Sequence, residues 1–222
     1  MIAETVRLHT IFELIRSTCA RAHLPLVIGR RAGADAPGQA RRLAGDLRRQ
    51  CAPCLADRHG HRLLQLAQMR FSPPLRSARD RDAIVAALAD GTIDALCSDH
   101  TPVDDDEKLL PFAEATPAPS GWKCSWPLTL RWAAEHKVPL QTALARITSE
   151  PARVAGLKAG TLASGAVADI CLFDPKEIWK VDRQSIKSQG KNSPWLVMRW
   201  RKGPHDAGRR PEIVYSSNNN HH

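Results

Sequence analysis

Ser98-Asp99-His100 sets a carboxylate and an imidazole directly behind a short apolar run, Ile93 to Cys97. A carboxylate in that position can ligate a metal or accept a proton, and an imidazole can ligate or steady a neighbouring ligand. For Asp99 the plainer alternative is a strand-end acid that caps the next turn. For His100 a structural role beside a ligand outweighs ligation itself. Asp104-Asp105-Asp106 adds three acids, but Lys108 follows and the spacing is not that of an EF-hand, so the stretch reads as a solvated loop. Cys51-Ala52-Pro53-Cys54 with His59 and His61 offers zinc-ligand residue types. It lacks a second Cys-x-x-Cys pair and sits in text of poor periodicity, so it competes with a reading as disordered or out-of-frame sequence. His23 reads as a core or strand-end histidine, with a ligand role as the alternative.

The elements around Asp99 give it a place. Residues 77–90 read as a helix, with Ser77 as N-cap, Asp80 in the first turn and Ile84, Val85 and Leu88 on the apolar face. Gly91 ends that helix, and residues 93–97 follow as a fully buried strand stopped by Thr101-Pro102. An acid at the carboxyl end of such a strand is where a (β/α)8 barrel keeps its chemistry. Residues 2–21 read as an amphipathic helix, with Val6, Ile11, Leu14, Ile15 and Cys19 on one stripe. Further helices are expected over 126–137, with Leu128, Trp132 and Ala133 inward, over 140–147, and from Ser149, which acts as a cap. The tryptophans read as core residues. Gly160 and Gly165 bracket small strands, and residues 170–173 form an apolar strand.

At 222 residues the chain has length for one domain with a sizeable core. It contains no run of 18 apolar residues and no signal-peptide pattern, and six scattered cysteines fit a reducing compartment, so a soluble cytoplasmic protein is expected. A net charge of +9 raises a nucleic-acid reading, but much of that charge comes from a single anomalous stretch.

Phe71-Ser72-Pro73-Pro74-Leu75-Arg76, Asp90 to Asp94, Ser98 to Pro102, Glu107-Lys108 and Pro111-Phe112 stand in the order and spacing of one family. They resemble the dihydroorotase branch of the amidohydrolase superfamily. Gly160 to Asp174 likewise resembles that superfamily's return strands, which build a small β-sandwich beside the barrel, and Lys187 to Pro194 resembles its tail. The resemblance implies the C-terminal part of a (β/α)8 metal-dependent hydrolase barrel over 1–157. Remnant sandwich strands follow over 158–215, and a disordered tail over 216–222. It implies reversible, zinc-dependent cyclisation of N-carbamoyl-aspartate to dihydroorotate. Asp99 would be metal ligand and proton-transferring base, with Ser72 and Ala118 on the substrate side.

Residues 25–67 differ in kind. They hold Arg30, Arg31, Arg41, Arg42, Arg48, Arg49, Arg58 and Arg62, yet no lysine, glutamate or aromatic residue. A basic RNA-binding insert, a disordered linker and wrong-frame translation of a GC-rich gene all fit. Shifted by one base, Arg58 to Arg62 permits Asp-Met-Asp-Ile-Gly, Leu43 to Leu47 permits Leu-Pro-Val-Thr, and Ala52 to Cys54 permits two adjacent histidines. These pieces, in that order, resemble the family's own text, which favours two compensating frame slips. A third is expected after Trp195, where a shifted reading of Pro204 to Arg210 restores a strand-like phrase.

The family's first zinc ligands belong to strands upstream of the matched text, and its later histidines fall where residues 25–67 stand. Its Asn is Ser72 here, its motif-closing His is Val103, and its substrate-loop Gly is Ala118. One carboxylate does not hold zinc. The resemblance therefore implies an inactive fragment that does not bind zinc alone. The alternative is a non-catalytic partner of aspartate carbamoyltransferase, the subfamily that Cys97 to Asp106 most resembles.

Overall fold

The computed structural model describes residues 10, 70, 78–98, 100–117, 125–180, 182–184, 190–191, 199–201, 206–209 and 212–216. The expected helix over 2–21 and the cysteine–histidine cluster of residues 51–61 lie outside them, apart from a helical Thr10.

Helix α1, Ala78–Asp90, buries Ile84, Val85 and Leu88, the stripe that the sequence marked, and Ala87 beside them. Gly91 follows in the left-handed region (φ 85°), and the Asp90 carboxylate accepts from Thr92 N at 2.7 Å, closing the turn. Ile93, Ala95 and Leu96 are buried, but Asp94 is half-buried and Cys97 exposed, so the run is not buried over its whole expected length. Their backbone is not a regular ladder strand, because Ile93 N donates to Ala87 O and Leu96 N to Arg146 O, each at 2.9 Å, and only Cys97 makes a strand-type pairing.

Helices α2 (Ser125–Glu135), α3 (Leu140–Ala145) and α4 (Ser149–Ala155) close over this run. The core joins the α1 stripe to Ile93, Leu96, Trp132, Ala133 and Ala143. Helix α2 stops two residues short of the expected end, because Lys137 adopts a left-handed φ of 53° and Val138 N reaches back to Ala133 O at 2.9 Å. The cap of α4 is Thr148, not Ser149, and Thr148 Oγ1 donates instead to Leu144 O at 2.7 Å. Gly156 (φ 68°) then terminates α4, with Leu157 N donating to Ala152 O at 2.9 Å.

Arg146 ties three pieces together. It is 9% exposed, its Nε donates to Leu88 O at 2.9 Å at the end of α1, and its own carbonyl receives Leu96 N. The guanidinium takes over a helix-end carbonyl that the helix itself leaves unpaired.

Beyond α4 the chain forms strands β1 (Asp169–Leu172), β2 (Ile178–Lys180), β3 (Arg199–Arg201), β4 (Asp206–Arg209) and β5 (Glu212–Ser216). All pairings are antiparallel, in the order β1-β4-β5 and β2-β3. Asp169 faces Arg209 and Leu172 faces Asp206, and a bulge falls between Ala207 and Gly208. Residues 206–209 form a strand with the residues of this sequence. Helix α2 packs against β3, and the Trp126 ring meets Phe173 edge to face at 4.6 Å.

Candidate functional site

The chain leaves the buried run through Ser98 and enters a loop over residues 100–117. Asp99, Ser72 and Ala118 all lie outside the described residues, and so does His23. His100 is half-buried, and burial holds its imidazole below the usual value of 6.5 by disfavouring the charged ring. Val103 is half-buried and brings no hydrogen-bond donor to the place where the family's histidine would stand.

The loop is fastened from three directions. Asp105, expected in a solvated turn, accepts from Lys191 N at 3.3 Å and from the Arg183 guanidinium. Its neighbours Asp104 and Asp106 are exposed. A single 3-10 turn, η1 (Asp106–Lys108), follows, with Glu107 N on Asp104 O and Lys108 N on Asp105 O. The Arg70 guanidinium donates to Ala113 O at 2.6 Å and also to Ala115 O, and Ala115 is completely buried. Lys108 is 4% exposed and donates from Nζ to Arg70 O at 3.3 Å. Burial pushes the Lys108 amine below its ordinary range, and the Arg70 charge adds to this, while Glu107 opposes it. Arg70 carried no signal in the sequence, where it is one arginine among many. Lys108 was legible only as half of a motif pair.

An open cavity of ≈ 370 Å³ is lined by Leu96, Cys97, Ile147, Thr148, Pro151 and Leu157, among others. Its walls are mostly apolar, with Cys97 and Thr148 as the exceptions, and it gathers no carboxylate, imidazole or amine. Among the described residues, no three His, Cys, Asp or Glu side chains come together as a metal would require. The described residues therefore do not fit a zinc site by themselves. No helix among them is long and apolar enough to cross a membrane.

A family model described as "Amidohydrolase family" matches residues 51–219. The chain belongs to the amidohydrolase family. The curated relatives of this amidohydrolase include the dihydroorotase of Geobacter sp. (strain M21), 42% identical over 127 residues. That alignment covers 57% of this chain and 30% of the relative. The dihydroorotase of Anaeromyxobacter dehalogenans is 40% identical over 140 residues, covering 63% and 31%. The chain is a dihydroorotase-like amidohydrolase.

Among solved structures, the L-hydantoinase (dihydropyrimidinase) from Arthrobacter aurescens superposes with a TM-score of 0.79 at 24% identity, over 93% of this chain and 47% of its own. The inactive dihydroorotase-like domain of a Chaetomium thermophilum CAD-like multifunctional protein gives a TM-score of 0.64 at 13% identity, over 93% and 54%. These likenesses establish the amidohydrolase TIM-barrel fold class. The chain spans about half the length of the solved structures it matches and under a third of the curated relatives.

Proposed function

We propose that this amidohydrolase is the C-terminal portion of a dihydroorotase barrel together with return strands of its small β-sandwich. We place it in pyrimidine biosynthesis in the cytoplasm. The carrying observation is the 42% identity to a dihydroorotase over 127 residues. The reaction of the whole fold would be reversible cyclisation of N-carbamoyl-aspartate to dihydroorotate. Asp99 would be the metal-ligating base, with Ser72 and Ala118 beside the substrate. This chain alone does not catalyse it, because a lone carboxylate neither holds zinc nor leaves an ordered water to attack. Incubating the pure chain with N-carbamoyl-aspartate and zinc should give no dihydroorotate. Zinc-dependent turnover above the uncatalysed rate would overturn the claim.

The domain boundaries at 157 and 215 and the out-of-frame reading of residues 25–67 belong to the same proposal. Resequencing the gene across codons 24–69 decides the frame. Corrected bases that restore paired histidines would make the parent an ordinary zinc enzyme. A second reading, a non-catalytic partner of aspartate carbamoyltransferase, is favoured by Val103 and Ser72, both in well-framed text. Co-elution of the two proteins at micromolar concentration supports it, and separate elution counts against it.

A further inference from the structure

Leu109, Leu110 and Phe112 stand 74%, 43% and 51% exposed within four residues of chain. They give the loop over 100–117 an apolar knob. Its base is held still: Glu114 N and Ala115 N both donate to Pro111 O at 2.9 Å, and the Arg70 guanidinium holds Ala113 O at 2.6 Å. A knob fixed before contact gives up little conformational freedom when it binds.

The same chain carries an opening of matching polarity. Of the residues that line the ≈ 370 Å³ cavity, Ala95, Leu96 and Ala152 are buried, while Ala155 and Leu157 are exposed. No residue of the knob lines it. An apolar cavity of about 150 Å³ already accepts a benzene ring, so this one has room for the Phe112 ring.

Charge points the two features at each other across molecules. The loop over 100–117 holds five acids and a single lysine, whereas the whole chain carries a net charge of +9. Asp104, Asp106 and Glu114, which flank the knob, are exposed, and Lys108 is buried. An acidic loop of one copy is attracted to the basic body of another. Close to the cavity, Arg153 takes up both Asp94 and Glu150, and Lys158 stands exposed next to Leu157. We propose that the knob at residues 109–112 docks in the cavity beside α4 of a second copy of this chain. The contact is small and of the weak, transient class, so association sets in at chain concentrations on the order of 100 µM. It does not depend on the proposed function, since neither catalysis nor zinc enters it.

The test is sedimentation velocity of the full chain across that concentration range, with one variant on each side of the contact. Phe112→Asp removes the ring and leaves the cavity. Ala155→Glu sets a carboxylate at an exposed position of the cavity wall, where it repels the acids around the knob, and leaves the knob. The unmodified chain should show a mass above that of one chain, rising with concentration. Each variant alone should sediment as a single chain at the same concentrations. Mixed in equal amounts, the variants restore one knob and one cavity, and should give a two-chain species and nothing larger. That species also shows that both variants fold. An unmodified chain that stays single throughout, a variant that still associates alone, or a mixture that yields no two-chain species would each overturn the contact.

Discussion

The helical region from α1 to α4 and the strands that follow it handle apolar residues in opposite ways. In the first, Ile84, Leu88, Ile93 and Trp132 are all at most 2% exposed and pack on one another. In the second, Leu162, Ile170, Leu172 and Ile178 are all more than 40% exposed, and every residue of β1 is open to solvent. Both stretches are apolar in sequence. A helix stripe finds its partner locally, in the next helix or the run that follows it. A strand of a sandwich buries its residues only against a second sheet, so its pattern alone does not ensure burial. Among the described residues the first region holds the core, while Ile170, Leu172 and Ile178 belong to strands whose backbone pairings are made and keep their side chains exposed.

Cutting the same kind of group from each region should break or keep the contrast. Trp132→Ala removes a 2% exposed indole from the centre of the helical core and should cost about 3–5 kcal/mol. Leu172→Ala removes a side chain already 59% exposed and should stay within about 0.5 kcal/mol of wild type. Urea denaturation followed by tryptophan fluorescence and circular dichroism reads both. Equal losses at the two sites would mean that β1 is covered in solution.

The two glycine turns that precede β1 sharpen the comparison at the junction. Gly160 (φ 75°) lies against α4, where an added Cβ would stand 2.7 Å from Ser149 Cα, a backbone atom that cannot swing aside. Gly165 (φ 82°) has open space around it. Alanine at 165 should cost only the left-handed strain, about 1–2 kcal/mol. Alanine at 160 should cost that and the displacement of α4, and the difference between the two melting temperatures measures how firmly the turn is seated on the helical region.

Protonation separates the regions again. Burial depresses the His100 imidazole, so the unfolded chain takes up a proton first as pH falls. The stability attached to His100 is complete above pH 6.5 and is lost as pH drops through the lowered folded value. Substituting His100→Gln should flatten that acid limb in the helical transition. A limb that persists unchanged in the variant would assign the pH dependence to another group.

Legibility in the sequence followed the same division. The α1 stripe, the stop at Gly91, the buried run from Ile93 and the inward face of α2 were readable because local periodicity determines them. The early end of α2 was not, because a lysine took a left-handed conformation that sequence assigns to glycine or asparagine. The roles of Arg70, Asp105 and Arg146 were hidden for a different reason. Each binds chain 43 to 86 residues away, or 58 in the case of Arg146, and nothing in a charged residue's neighbours announces such a partner. At the site, the family motif pointed to Asp99, Ser72 and Ala118, which lie outside the described residues, while Arg70 and Asp105, which fasten the neighbouring loop, came only from the geometry.

The smallest effect concerns the surface link between the run from Ile93 and α4. Arg153 bridges Asp94 at 2.7 Å and Glu150 at 2.8 Å, and its guanidinium is pushed above its ordinary value, first by the Glu150 hydrogen bond. Arg153 is 55% exposed, so water and salt screen both pairs. Arg153→Ala should therefore cost less than about 1 kcal/mol, and that loss should shrink further in 0.5 M salt. A double-mutant cycle with Asp94→Ala isolates the longer-range pair from the one within α4. If the coupling exceeds about 1 kcal/mol and resists salt, the ion pair is buried in solution by something that covers this face. The helical region would then share the open-sided condition of β1 and not its own closed core.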